Sequence, residues 1–178
     1  MTIDKKFFDQ FINVTSKAAL ESSYQVGKND KIAADKAAVD SMRNELNKIN
    51  MNGRIVIGEG ELDQAPMLFI GEKLGTGNGP ALDIAVDPLE GTNFAAKNLP
   101  GALSVIAVAE KSNLFNAPET YMDKIAILSS EKGIVDLDNS VTKNIKNLAE
   151  YKNTQPDNLT ACILDRPRHR KHIEELKA

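Results

Sequence analysis

Hydrophobic positions along this chain follow two different periods. Between residues 4 and 24, Phe7, Phe8, Phe11, Ile12 and Leu20 recur at helical spacing, and "VGKND" then breaks the pattern. A second helix is predicted from about Lys31 to Ile49, with Val39, Met42, Leu46 and Ile49 as its apolar stripe. Asn50 to Gly53 read as a turn. "RIVIG" follows as a short strand, with Ile55, Val56 and Ile57 expected to be buried. "PMLFIGE" is a further strand candidate, and "KLGTGNGP" reads as a loop because glycine and proline interrupt any regular element. Strands are predicted at 81–87, 102–109, 125–130 and 159–165. Helices are predicted just after Gly91, at 140–151 and from about Pro167 onward. This alternation predicts an α/β fold in the form of an α+β layered sandwich.

Composition narrows the function classes. The 178 residues are enough for one domain, or one and part of another, with a real core. A net charge of −3, with Lys and Arg scattered along the chain, leaves no electrostatic footprint for nucleic acid. Cys162 is the only cysteine, which excludes an intrachain disulfide and a thiolate zinc cage. In the run "LTACILD" it reads as an inert core thiol. The start "MTIDKKFFDQF" lacks the apolar centre of a signal peptide, and no apolar run approaches a membrane span. A cytoplasmic protein is therefore expected. The ending "HRKHIEELKA" reads as a helix following a strand, which in layered α/β proteins leads back to another strand. The sequence is thus expected to be the first part of a longer fold.

Carboxylates then stand where core residues belong. Asp35 precedes Val39, Met42 and Leu46 at helical intervals, so it lies on the apolar stripe. Two readings are open. Asp35 faces the core, where a carboxylate is costly unless paired, protonated or bound to a cation. Alternatively, it sits in a solvated first turn, paired with Lys31. "IVIGEGELD" repeats the pattern, with Glu59, Glu61 and Asp63 after an apolar strand, although an acidic surface loop fits the same residues. "AVDPLEGTN" ends a strand in Asp87 and adds Glu90, Gly91 and Thr92, although Pro and Gly alone also make plain turns. Sites in open sheets gather at strand ends, so these acids are candidates to converge. Converging anions need cations between them, and an oxygen-only donor set suits Mg²⁺ or Mn²⁺. If a helix begins at Gly91, its free N–H groups offer an anion site beside the acids. Metal-holding acids next to phosphate-holding amides describe a metal-dependent phosphatase.

The segments "DKIAADKAAV", "IVIGEGELDQAPMLFIGEKLG", "DIAVDPLEGTN" and "LDRPRH" together resemble the bacterial class II fructose-1,6-bisphosphatases, in the same order over essentially the whole chain. These belong to the lithium-sensitive, metal-dependent phosphatases. The resemblance implies the N-terminal part of the sugar-phosphatase fold, with helices on a mixed sheet. Residues 1–155 would form the metal- and phosphate-binding domain, and 156–178 would begin a second domain. It implies that Asp35 and Glu59 bind one metal and that Asp87 and Glu90 bind another. Glu90, Gly91 and Thr92 would hold the substrate phosphate. Asp63 would position or deprotonate the attacking water, and Lys31 would support the charge balance. Tyr121 matches a tyrosine that contacts the sugar bisphosphate, and Arg166, Pro167 and Arg168 match a basic segment that does the same.

The implied reaction is hydrolysis of the 1-phosphate of fructose 1,6-bisphosphate, with Mn²⁺ or Mg²⁺, in gluconeogenesis. The implied partner is a small sugar bisphosphate, with no nucleic acid and no membrane; a homo-oligomer is left open. Full-length relatives continue for well over a hundred residues and carry a Gly-Gly-x-Pro-Glu motif whose glutamate is a further metal ligand. That motif is absent here. A non-catalytic remnant is therefore an alternative, and an unpaired sheet edge or apolar face is expected; separately, the resemblance leaves a sedoheptulose 1,7-bisphosphatase open.

Overall fold

Two helices and a four-stranded sheet build the part of the chain that carries the acids. The computed structural model describes residues 4–58, 67–115 and 122–177. The chain forms two compact units, residues 1–118 and 119–178, and position 155 lies within the second.

In the first unit, α1 spans Lys6–Ser23 and α2 spans Lys31–Leu46. Asp30 caps α2 by accepting a hydrogen bond from the Ala33 N–H at 2.9 Å, which satisfies one of the helix's orphan donors. Val39, Met42 and Leu46 are fully buried, and Ile49 just beyond the helix joins them. On α1 the buried stripe is Phe7, Phe11, Val14 and Ala18, whereas Phe8, Ile12 and Leu20 are exposed. Apolar character alone did not reveal which side of α1 meets α2.

The sheet comprises β1 (Asn52–Ile57), β2 (Lys73–Leu74), β3 (Ala81–Glu90) and β4 (Leu103–Glu110), with the short helix α3 (Thr92–Ala96) between the last two. Strand order is β2-β1-β3-β4. β1 and β3 run parallel and the outer pairs antiparallel, so the sheet is mixed and the fold is α/β. Leu82, Ile84 and Val86 of β3 pack with α1 and α2 in one core. Side chains alternate across a strand, so Ile106 and Val108 of β4 face that core while Leu103 and Val105 stay exposed. Among the described residues β4 has no outer strand.

Three expectations need correction here. Ile57 is 42% exposed; it ends β1, where the register against β3 shifts between Ile55 and Ile57. The described part of "PMLFIGE", residues 67–72, is turn and irregular backbone, followed by the two-residue β2. The predicted strands at 125–130 and 159–165 are not strands. They find no ladder partner among the described residues, and an apolar run without one has nothing to fix it as a strand.

In the second unit, α4 spans Val141–Tyr151 and α5 spans Arg170–Lys177. The Thr142 N–H and hydroxyl both donate to Glu175 Oε1 at 2.9 Å, tying the two helices together. Leu128 is 91% exposed. Cys162, expected in a core, is exposed as well, since its segment forms no strand to bury it.

Candidate metal and phosphate site

Asp87 and Glu90 are three residues apart, and in a regular strand such residues point to opposite faces. The structure brings them to one side. Asp87 pairs with Val105 and Glu90 with Leu103, so three steps along β3 match two along β4. This is a β-bulge, and Pro88 lies within it, where its missing N–H costs the ladder nothing. Pro88 and Leu89 are buried and fix the bulge in place.

Beyond the bulge the chain turns at Gly91, whose φ of +80° is left-handed. A Cβ there would meet the Phe94 ring at 3.1 Å, so the position combines backbone strain with crowding for any other residue. The Gly91 carbonyl accepts from the Phe94 N–H at 2.8 Å and opens α3. As in any helical first turn, the N–H groups of Thr92 and Asn93 have no intrahelical acceptor. With five residues, α3 offers these donors and little dipole.

The start of α2 is tied to this turn. The Gly27 N–H donates to the Ala95 carbonyl at 3.0 Å and the Asn29 N–H to the Ala96 carbonyl at 2.8 Å. The end of α3 thus holds the loop that leads into α2, and α2 delivers Asp35 beside Asp87. Of the two readings of Asp35, the structure supports the inward one. Its Oδ1 is buried with no hydrogen-bond partner, and no ion pair joins it to Lys31, which opens α2 in an exposed position.

Asp87 Oδ1 is buried and unpartnered in the same way. Burial pushes the Asp87 carboxyl up to about 6, and the neighbouring Glu90 carboxyl adds to the rise. The Leu89 N–H opposes it by donating to the carboxylate, and the charge of Asp35 raises it further. Burial also raises Asp35 above the ordinary carboxylate range. These are mutually repelling acids with oxygens left over, an arrangement that a divalent cation would neutralise. The donor set fits Mg²⁺ or Mn²⁺. Among the described residues no three acids, histidines or cysteines yet surround one point, so what they show is Asp87 flanked by Asp35 and Glu90.

Glu59, Asp63 and Tyr121 lie outside the described residues. Arg166, Pro167 and Arg168 belong to the second unit. Arg166 there precedes a 3-10 turn at Pro167–His169, and Asp165, Arg166, Pro167 and Arg170 help line a pocket of about 340 Å³.

Two ion pairs escaped sequence reasoning. Arg43 on α2 binds both oxygens of Glu72, Nε to Oε1 at 2.7 Å and Nη2 to Oε2 at 3.2 Å. Asp83, almost fully buried on β3, accepts from Arg54 at 3.3 Å and from the Ser112 N–H at 2.6 Å. Arg43 did carry a signal, because it sits one turn beyond Val39 at the margin of the apolar stripe. Glu72 carried none.

A family model described as "Bacterial fructose-1,6-bisphosphatase, glpX-encoded" matches residues 5–178. The chain belongs to this family. It is 48% identical over 176 residues to a D-fructose 1,6-bisphosphatase class 2/sedoheptulose 1,7-bisphosphatase of Synechococcus sp. (strain CC9902), covering 99% of the chain and 53% of that relative. An enzyme of the same name from Prochlorococcus marinus (strain MIT 9301) is 45% identical, with 98% and 53% covered. The one from Parasynechococcus marenigrum (strain WH8102) is 47% identical, with 99% and 53% covered. The chain spans about half the length of these relatives.

Proposed function

We propose that the chain forms the metal- and phosphate-binding part of a sugar-bisphosphate phosphatase that removes the 1-phosphate of fructose 1,6-bisphosphate in gluconeogenesis. One observation carries the reading. Asp35 and Asp87 are neighbouring carboxyl groups with buried, unpartnered oxygens, and burial raises both above the usual range. Such a cluster destabilises the fold unless a cation belongs there.

Asp35 and Glu59 would hold one divalent ion, and Asp87 and Glu90 a second. When bound, Mn²⁺ or Mg²⁺ supplies a Lewis acid that draws charge from phosphoryl oxygens and makes a water easier to deprotonate. The chain's own residues do the rest. Gly91 and Thr92 present backbone N–H groups, and Thr92 its hydroxyl, to the phosphoryl oxygens, where developing charge is best stabilised. Asp63 would help to position or deprotonate the attacking water. Lys31, at the exposed start of α2, offsets the negative charge around the acids. By the family resemblance alone, Tyr121 and Arg166, Pro167 and Arg168 would contact the substrate.

The names of the relatives couple two substrates, so sedoheptulose 1,7-bisphosphate is a second substrate in this reading. The chain spans about half the length of these relatives, which supports a further reading: a non-catalytic remnant or fragment lacking part of the site. We place the protein in the cytoplasm; among the described residues no helix is long and apolar enough to cross a membrane.

The test measures phosphate release from both bisphosphates alongside Mn²⁺ binding by the chain. Release that requires Mn²⁺ or Mg²⁺ and is lost in Asp87→Ala is the expected result. Binding without release would select the incomplete-site reading. Absence of metal binding, in a chain shown to be folded, would overturn the site itself.

A further inference from the structure

The buried stripe of α1 leaves the other side of that helix to be explained. Phe8, Ile12 and Leu20 share its apolar pattern but not its core, and they are 55%, 61% and 43% exposed. Tyr24, at the C-cap, is 59% exposed. Positions 8, 12, 16, 20 and 24 form a single i±4 row, which on an α-helix is a ridge of the surface. Its residues run Phe8, Ile12, Ser16, Leu20, Tyr24: aromatic, aliphatic, small, aliphatic, aromatic. The order is the same read from either end, with Ser16 at the centre. The adjacent row, Lys5, Asp9, Asn13, Lys17 and Glu21, is polar and carries both signs of charge. An outer helix side that only meets water is normally polar throughout, so an apolar ridge with a polar border marks a contact surface.

We infer that this ridge joins two copies of the chain, with α1 of a second copy lying antiparallel across it and the two-fold axis at Ser16. Ile12 then meets Leu20 of the second copy, and Phe8 lies toward its Tyr24. Interdigitated i±4 ridges are the commonest way for two helices to pack, and a small residue at the crossing lets their backbones approach. The symmetry of the ridge selects a second copy over an unrelated partner. A two-fold contact must complement itself, residue i touching j while j touches i, and only that arrangement requires the order to reverse onto itself. The polar border stays at the rim of the contact, where charged groups keep their water. Each of the four large side chains exposes roughly 100 Å², so pairing covers roughly 800 Å² over both copies. That is less than a permanent interface buries, and the dimer is reversible and dependent on concentration.

The experiment follows the mass of the 178-residue chain by sedimentation velocity from about 10 μM to about 1 mM, a range suited to a weak contact. Wild type should pass from monomer to dimer across it. Ile12→Lys and Leu20→Glu each put a charge into the contact and should weaken dimerisation about tenfold or more. Both positions are exposed in the single chain, so urea midpoints at low concentration should stay near wild type. Mixing the two variants should restore a dimer. The new ammonium at position 12 then faces the new carboxylate at position 20, and the other half of the contact is wild type. Leu103→Lys, at an exposed apolar position on β4, should dimerise as wild type does. Wild type that stays monomeric throughout would overturn the inference, and so it would behave if the ridge were covered by the part of the relatives that this chain does not span. Dimers that persist in both single variants, loss of the dimer in Leu103→Lys, or a mixture of folded variants that stays monomeric would overturn it as well. The metal and phosphate reading does not depend on any of these outcomes.

Discussion

Replacing Asp87 with asparagine should make the metal-free protein more stable at neutral pH, although it removes a side chain at the centre of the site. Burial and Glu90 lift the Asp87 carboxyl from 3.8 to about 6 in the folded protein. A raised acid holds its proton more tightly folded than unfolded, so its contribution is most favourable below about pH 4 and is lost as pH rises through about 6. Two units or so correspond to about 3 kcal/mol at most. The carboxyl group is only half-buried, and screening by solvent reduces this to roughly 1–2 kcal/mol. Asparagine keeps the shape and carries no charge, so it escapes the repulsion from Glu90 and Asp35. Urea melts with a chelator, from pH 4 to pH 8, should show the two proteins converging at the acid end. The variant should lead by roughly 1–2 kcal/mol at the neutral end. Saturating Mn²⁺ should reverse the order, because only wild type gains the full binding energy. A variant that is less stable than wild type in chelator at pH 7, or a gap that ignores pH, would refute the claim that these acids repel one another in a cation-free site.

Met42→Ala, in the fully buried stripe of α2, should lower stability by about 2–5 kcal/mol, read as a lower urea midpoint at unchanged slope. Gly58→Ala should cost roughly 1–3 kcal/mol by forcing its Cβ against the Leu68 carbonyl. A variant with normal stability would show that the close approach at Gly58 has no consequence.

Local periodicity was enough to predict both long helices, the stripe of Val39, Met42 and Leu46, and the strands that became β1, β3 and β4. Each depends on which side of a single element is buried, and that is written into neighbouring residues. The acids were legible in the same way, as polar residues at positions that burial should forbid. The predicted strands at 125–130 and 159–165 were not realised, because a strand exists through its partner and a segment does not name one. The common face of Asp87 and Glu90 also lay beyond the sequence. Proline hinted at irregularity, but only the register against Val105 and Leu103 shows the extra residue that reverses the parity. Arg43 and Glu72 meet across 29 residues, a distance at which no spacing rule operates. Asp35 marks the division best. Sequence placed it on the apolar side of α2 and left it equally able to face solvent beside Lys31. Packing of α2 against α3 and β3 decided the matter, because a carboxylate's environment is set by what folds over it rather than by what stands next to it in the chain.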